Sequence, residues 1–278
     1  MIIDSHHHLW RFNSGDYGWM DPSMDILKQD YLPGDLRDQL AGSGVTGTVV
    51  VQARQIPAET RWLLEQANKN DFIKGVVGWV DLQRENLDEQ LKEFAGNPKL
   101  VGVRHVIHDE PDDDFMLRPA FVKGIEKLGR YNLTFDLLLF PRHLQRAVEL
   151  VSMFPEQKFV LDHISKPIIK TGILDPWRYD IQNLAAKANV WCKISGMVTE
   201  ADKKNWRYED FVPYLDVVTE VFGTDRIMLG SDWPVCLLAG QYKEIMDIPV
   251  RYFGDLDPAG KDRVFRMNCI EFYKLSIK

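Results

Sequence analysis

Apolar residues in this chain gather in short runs, and the runs alternate with longer stretches in which apolar positions recur every three or four residues. Eight runs are legible, at 1–5, 45–53, 72–81, 100–107, 133–140, 158–164, 190–196 and 226–232. Several, such as VTGTVVVQA and LTFDLLLF, are nearly continuous in apolar residues, as strands covered on both faces are. The stretches between them keep a helical beat. Leu144, Val148 and Val151 form one stripe, Ile181, Leu184 and Ala188 another, and Phe211, Leu215, Val218 and Phe222 a third that Gly223 closes. Pro57, Pro141 and Pro176 stand where a first-turn proline is tolerated, and a last helix starts after Asp257-Pro258.

This alternation predicts βαβ units and a parallel sheet. Eight units in 278 residues match the usual size of a closed (β/α)8 TIM barrel, so the expectation is one domain over 1–278. The one long connection, 9–36, is rich in Trp, Tyr, Gly and Pro, and long loops of compact domains tend to be functional, here as a lid.

Composition removes several classes of function. A net charge of −7 with scattered basic residues argues against nucleic acid and anionic membranes as partners. Cys192, Cys236 and Cys269 have no CxxC spacing and cannot all pair, which predicts free thiols in a reducing, cytoplasmic setting. The N-terminus lacks the charged and long apolar regions of a secretion signal.

In a barrel of this type the reacting groups sit at the C-terminal ends of the strands. Four run ends carry polar, metal-capable residues: Asp4 to His8 on the first, Arg104-His105 on the fourth, Asp162-His163 on the sixth and Ser231-Asp232 on the eighth. Side chains alternate along a strand, so His6 and His8 can point one way while His7 points the other. Two imidazoles at that spacing can grip one cation, and Asp232, adjacent in a closed barrel, can add an oxygen. Blander readings stand beside these: His6 and His8 as buried, hydrogen-bonded histidines, Asp232 as an Asx turn, and Cys236 as a packing residue. His108 and the acidic run 109–114 read as a solvated loop.

DSHHHLW, RHVIHDEP, LDHISKP, KISG and GSDWP, in that order and spanning nearly the whole chain, resemble the lactonase branch of the amidohydrolase superfamily, whose L-fuconolactonase-like members open sugar lactones. The resemblance implies a central group of His6, His8, His163 and Asp232, with Arg104, His105 and Lys166 on the substrate side. It also implies one divalent ion, zinc first, on His6, His8 and Asp232, or none, since both kinds of member are described. Many binuclear members carry a bridging lysine at the fourth strand end; Arg104-His105 stands there instead, which speaks against two metals.

Asp232 is then the general base on water and His163 its catalytic partner. Few arginines (Arg54, Arg104, Arg142) fall near strand ends, against Trp10, Trp19, Trp79 and Trp233. That balance favours a neutral six-carbon aldonolactone, such as L-fucono- or L-rhamnono-lactone, over a dicarboxylated muconolactone. Arg54 and Trp233 join the candidate substrate contacts, and a homodimer is the partner expected besides the lactone. The rivals are a decarboxylase of an aromatic acid and a non-enzymatic binding barrel.

Overall fold

Eight parallel strands, hydrogen-bonded in sequence order, enclose the interior of the computed structural model, which describes residues 1–277. They are β1 (Ile2–His7), β2 (Val45–Val51), β3 (Ile73–Gly78), β4 (Leu100–His105), β5 (Thr134–Leu137), β6 (Phe159–Leu161), β7 (Val190–Ile194) and β8 (Ile227–Leu229). Helices α1 (Pro33–Leu40), α2 (Pro57–Lys69), α3 (Leu87–Ala95), α4 (Pro119–Leu128), α5 (Leu144–Met153), α6 (Trp177–Ala185), α7 (Tyr208–Phe222) and α8 (Tyr242–Tyr252) follow the strands one for one. The architecture is the expected (β/α)8 barrel. Two short helices, α9 (Pro258–Asp262) and α10 (Asn268–Tyr273), end the described chain. No helix among the described residues is long and apolar enough to cross a membrane.

Two apolar layers result from strict alternation along the strands. Outward residues such as Val50, Val76, Leu137 and Leu161 pack beneath the helices, while Ile3, Val49, Val77, Val160 and Met228 fill the barrel interior. Phe272, Tyr273 and Leu275 from the C-terminal segment join the interior cluster, so α10 stoppers the N-terminal mouth. Chemistry is thereby confined to the other end.

Local differences from the sequence pattern have physical causes. β6 ends at Leu161, three residues before the apolar run does, because His163, Ile164, Ser165 and Lys166 all adopt left-handed φ values of 49° to 64°. Such a turn costs L-residues roughly 1–2 kcal/mol each, and nothing in the composition of DHISK announces it. Ala188 falls beyond α6 and is exposed; Ala185 takes its place in the buried stripe. Pro57 opens α2 at its first position, but Pro176 is the N-cap of α6, and Pro141 starts a 3-10 turn leading into α5. Phe211, Leu215, Val218 and Phe222 are all buried, and Gly223 caps α7 at φ 65°.

Closure of the barrel depends on Asp4. Between Asp4 and His7, β1 spends three residues where β2 spends two, from Thr48 to Val50, so one extra residue is bulged into β1. The bulge flips the alternation. Ile3 faces the interior below it, and His6 and His8 face the interior above it. Oδ1 of Asp4 accepts from the His6 amide at 3.1 Å and the Ser231 amide at 2.9 Å. Its Oδ2 accepts from Ser231 Oγ at 2.6 Å and Tyr242 Oη at 3.0 Å. One carboxylate thus ties the bulge to the end of β8 and to α8. The circle is completed where Asp232 N donates to His6 O at 2.8 Å and His8 N donates to Trp233 O at 2.6 Å.

Asp4→Ala leaves several buried donors unpaired, each costing about 1–3 kcal/mol. Urea unfolding is therefore expected to show a loss of at least about 3 kcal/mol, whereas a loss under about 1 kcal/mol would mean that the bulge is held by other means.

Candidate active site

His6, His8, His163 and Asp232 meet at the C-terminal mouth, all buried. Nε2 of His6 and Nε2 of His8 stand 3.3 Å apart, and Oδ1 of Asp232 lies 3.2 Å from His8 Nε2 and 3.8 Å from both His6 Nε2 and His163 Nε2. His7 turns outward to Thr48 Oγ1 at 3.0 Å, as the alternation predicts. Asp232 itself has a left-handed φ of 58°, a conformation that aspartate tolerates better than most residues and that aims its carboxylate into the mouth.

The proton position on His8 follows from its partner. His8 Nδ1 faces only an acceptor, the Val51 carbonyl at 2.8 Å, so Nδ1 carries the hydrogen and Nε2 keeps its lone pair. His6 has a donor on each side, Arg104 Nη1 3.2 Å from Nε2 and Lys193 Nζ 3.2 Å from Nδ1, so these contacts do not fix its tautomer. Asp162 Oδ1 also lies 3.3 Å from Nδ1, and a cation held at Nε2 would select the tautomer with hydrogen on Nδ1, facing that carboxylate. In that tautomer both Nε2 lone pairs face one place, as does a carboxylate oxygen. Arg104 offsets part of the repulsion at His6 Nε2, and a cation placed among the three acceptors would remove the rest.

Around this centre runs a buried charge network. Arg104 donates to Asp162 Oδ2 at 3.1 Å and to Gln52 Oε1 at 2.8 and 3.1 Å, and it also bonds the Gln52 carbonyl. Lys193 on β7, fully buried, reaches Asp136 Oδ2 at 2.5 Å and Asp162 Oδ1 at 3.0 Å, and Tyr273 donates to Asp136 from below at 2.8 Å. Burial, then Lys193 and Arg104, hold the His6 imidazole well below its ordinary pKa. Burial does the same to His163 against the pull of Asp232, so both rings are neutral at pH 7. Burial pushes Asp232 up, but His163 and His8 outweigh it and the carboxyl lies below its usual range. For Asp162 too burial is outweighed, by Lys193 and Arg104. With these rings neutral, Lys193 and Arg104 are the cations that face Asp136 and Asp162 beneath the site.

Two trios of side chains converge closely enough to hold an ion: His6, His8 and Asp232, and His6, Asp162 and His163. The first fits. In a tetrahedral zinc site with bonds of about 2.0–2.1 Å, ligand atoms stand roughly 3.3–3.4 Å apart, near the separations found here. The second is already engaged, because both Asp162 oxygens face the cations Lys193 and Arg104.

The other residues expected at the site are placed unevenly. Lys166 stands at the rim, its Nζ 3.0 Å from Glu200 Oε1, with its charge felt at Asp232 and His163. His105 turns away, stacked on Phe115 and hydrogen-bonded to Glu110 at 2.7 Å. Arg54 is drawn to Asp16 of the long connection at 2.6 Å. Trp233 is buried edge-on to Tyr31, 5.1 Å between ring centres. The long connection packs over this side: Trp10 stacks on His8 at 6.4 Å and is bridged to Tyr31 by paired 2.9 Å backbone bonds. The acidic run is solvent-facing, its Asp112, Asp113 and Asp114 paired with Arg118, Arg142 and Arg146. Burial pushes the Cys236 thiol well up, as suits a packing role.

Sequence reasoning missed Gln52, Asp136, Lys193 and Ser195. For Asp136 and Lys193 the signal was a lone charge at an inward position of an apolar strand. Ser195 Oγ is 2.8 Å from His163 Nδ1, and a Cβ on Gly196, at φ 61°, would meet that same nitrogen at 2.6 Å. The His163 ring is thus gripped from β7. Ser195→Ala is expected to lower kcat about tenfold with little change in KM; an unchanged kcat would show that the grip is not needed.

The amidohydrolase family model matches residues 3–275. An L-fucono-1,5-lactonase of Burkholderia ambifaria is 36% identical over 286 residues, covering 98% of this chain and 95% of that protein. An L-fucono-1,5-lactonase of Burkholderia multivorans is 38% identical over 260 residues, covering 90% of this chain and 88% of that protein. Among solved structures, a zinc-bound amidohydrolase of Burkholderia multivorans superposes with a TM-score of 0.95 at 36% identity, over 99% of this chain and all of that one.

Proposed function

The chain belongs to the amidohydrolase family, and from that membership we propose that it hydrolyses a six-carbon sugar lactone, with L-fucono-1,5-lactone as the first substrate to test. The observation that carries the chemistry is the convergence of the Nε2 atoms of His6 and His8 and one carboxylate oxygen of Asp232 on a single point. A divalent ion, zinc first, would be held by His6 Nε2, His8 Nε2 and Asp232 Oδ1; when bound, it supplies Lewis acidity toward the lactone carbonyl and toward water. The zinc-bound relative supports that choice.

Asp232 takes a proton from the attacking water as its oxygen bonds to the carbonyl carbon. As the ring carbon–oxygen bond breaks, Asp232 returns that proton to the departing ring oxygen. The product is a hydroxy acid, which at neutral pH releases one proton to solvent. His163, held neutral by burial and aimed by Ser195, assists the oxygen on which negative charge develops. Arg104 supports His6 from below rather than meeting substrate.

The arginines favour a neutral ring. Arg104 is occupied by Gln52 and Asp162, Arg54 by Asp16, and Arg142 by Asp113 and the His108 carbonyl. None offers the free bidentate fork that a dicarboxylated lactone calls for. Buried, unpaired Cys192, Cys236 and Cys269 support a reducing, cytoplasmic setting.

Proton release from a panel of aldonolactones and muconolactones tests the assignment. Turnover of L-fucono-1,5-lactone is expected, and an enzyme that opens only muconolactones contradicts it. Asp232→Asn is expected to lower kcat by about 10²–10⁴-fold with the fold intact, and an active variant would remove Asp232 from the mechanism. Stripping with a chelator should abolish proton release until zinc is returned; full activity in metal-free protein would leave the carbonyl to the imidazoles alone.

A further inference from the structure

Lys193 is the least expected residue in the barrel. It is wholly buried in the middle of β7, and taking an ammonium out of water costs several kcal/mol unless its partners are well placed. Its partners are Asp136 at 2.5 Å and Asp162 at 3.0 Å, and its Nζ also lies 3.2 Å from His6 Nδ1. The last contact is not a hydrogen bond if Nδ1 carries a proton, because ammonium has no acceptor. In that tautomer Lys193 acts toward His6 through Asp162.

Asp162 Oδ1 sits between the Lys193 ammonium and the His6 Nδ1–H, while its Oδ2 is held by Arg104. Asp136 holds the far side of the ammonium, and Tyr273 from α10 holds Asp136 with bonds of 2.8 and 3.0 Å. A continuous chain of contacts thus runs from the stopper at the closed end to the imidazole at the open end.

We propose that Lys193 is a positioning residue for the reaction: clamped by Asp136, it fixes the Asp162 carboxylate against His6 Nδ1 and so keeps the His6 Nε2 lone pair facing the centre. Its effect on metal affinity rests on the metal site proposed above, and its effect on turnover rests on the proposed lactonase reading but not on the metal. Carboxylates behind a ligating histidine set ring orientation and basicity, and their loss costs about 10–100-fold in affinity or activity.

Lys193→Met alone would strand two buried carboxylates, so the charge-balanced pair Asp136→Asn with Lys193→Met is the better probe. It is compared with Asp162→Asn and with the triple variant in a cycle. The thermal midpoint, kcat and KM on L-fucono-1,5-lactone, and zinc affinity by competition with a chromophoric chelator are measured for each. The double variant is expected to fold, to lose about 10–100-fold in kcat and in zinc affinity, and to change KM by less than about threefold. The triple variant should be no worse than Asp162→Asn, because both lesions act through one carboxylate. A double variant within about threefold of the unsubstituted protein in kcat, or a triple variant whose losses multiply, overturns the proposal. Unsubstituted protein that binds no zinc would defeat the metal reading alone, and the kcat cycle would still decide the role of Lys193.

Discussion

Two imidazole nitrogens facing each other across 3.3 Å, with a carboxylate oxygen 3.2 Å from one of them, govern the open end of the barrel. His8 gives its proton to the Val51 carbonyl, and with hydrogen on Nδ1 His6 turns its own toward Asp162, 3.3 Å away. Acceptors forced together in this way raise the energy of the folded chain unless a cation joins them. The surrounding structure pays for this convergence through a closed, rigid barrel. The site is preorganised by strands rather than loops, which is what precise positioning requires.

Several distant features serve that convergence. The bulge in β1 moves His6 and His8 to the inner face, and Asp4 fixes the bulge to β8 and α8. The left-handed turn at 163–166 drops His163 out of the strand toward Asp232. Local strain at both His163 and Asp232 is consistent with a functional site held in place by its surroundings. Beneath the histidines, Lys193 and Arg104 supply the positive charge that holds Asp136 and Asp162, and Arg104 also reaches His6 Nε2.

The sequence made the periodic features visible and hid those that break periodicity. Strand runs, helix stripes and the polar strand ends follow from hydrophobic alternation, which is why the barrel was legible, while the family resemblance singled out His6, His8, His163 and Asp232 among those ends. The bulge was not, because one inserted residue leaves no mark in IIDSHH. Nor was the left-handed turn, which carries no glycine. Strand-end position also fails to say which side a residue faces. His105 and Trp233 sit at the expected ends yet turn toward Phe115 and Tyr31. Lys193 and Asp136 were overlooked because single charges in apolar strands read as exceptions, although inward parity in a closed barrel makes such charges functional candidates.

Relatives at 36 to 38% identity over most of the chain point to lactone chemistry, and the geometry accounts for why this set of residues suits it. The most direct test is anomalous diffraction at the zinc edge from crystals of zinc-loaded protein. A single peak per chain is predicted, within about 2.0–2.2 Å of His6 Nε2, His8 Nε2 and Asp232 Oδ1. No peak at that point, or a peak held by Asp162 and His163 instead, would contradict it.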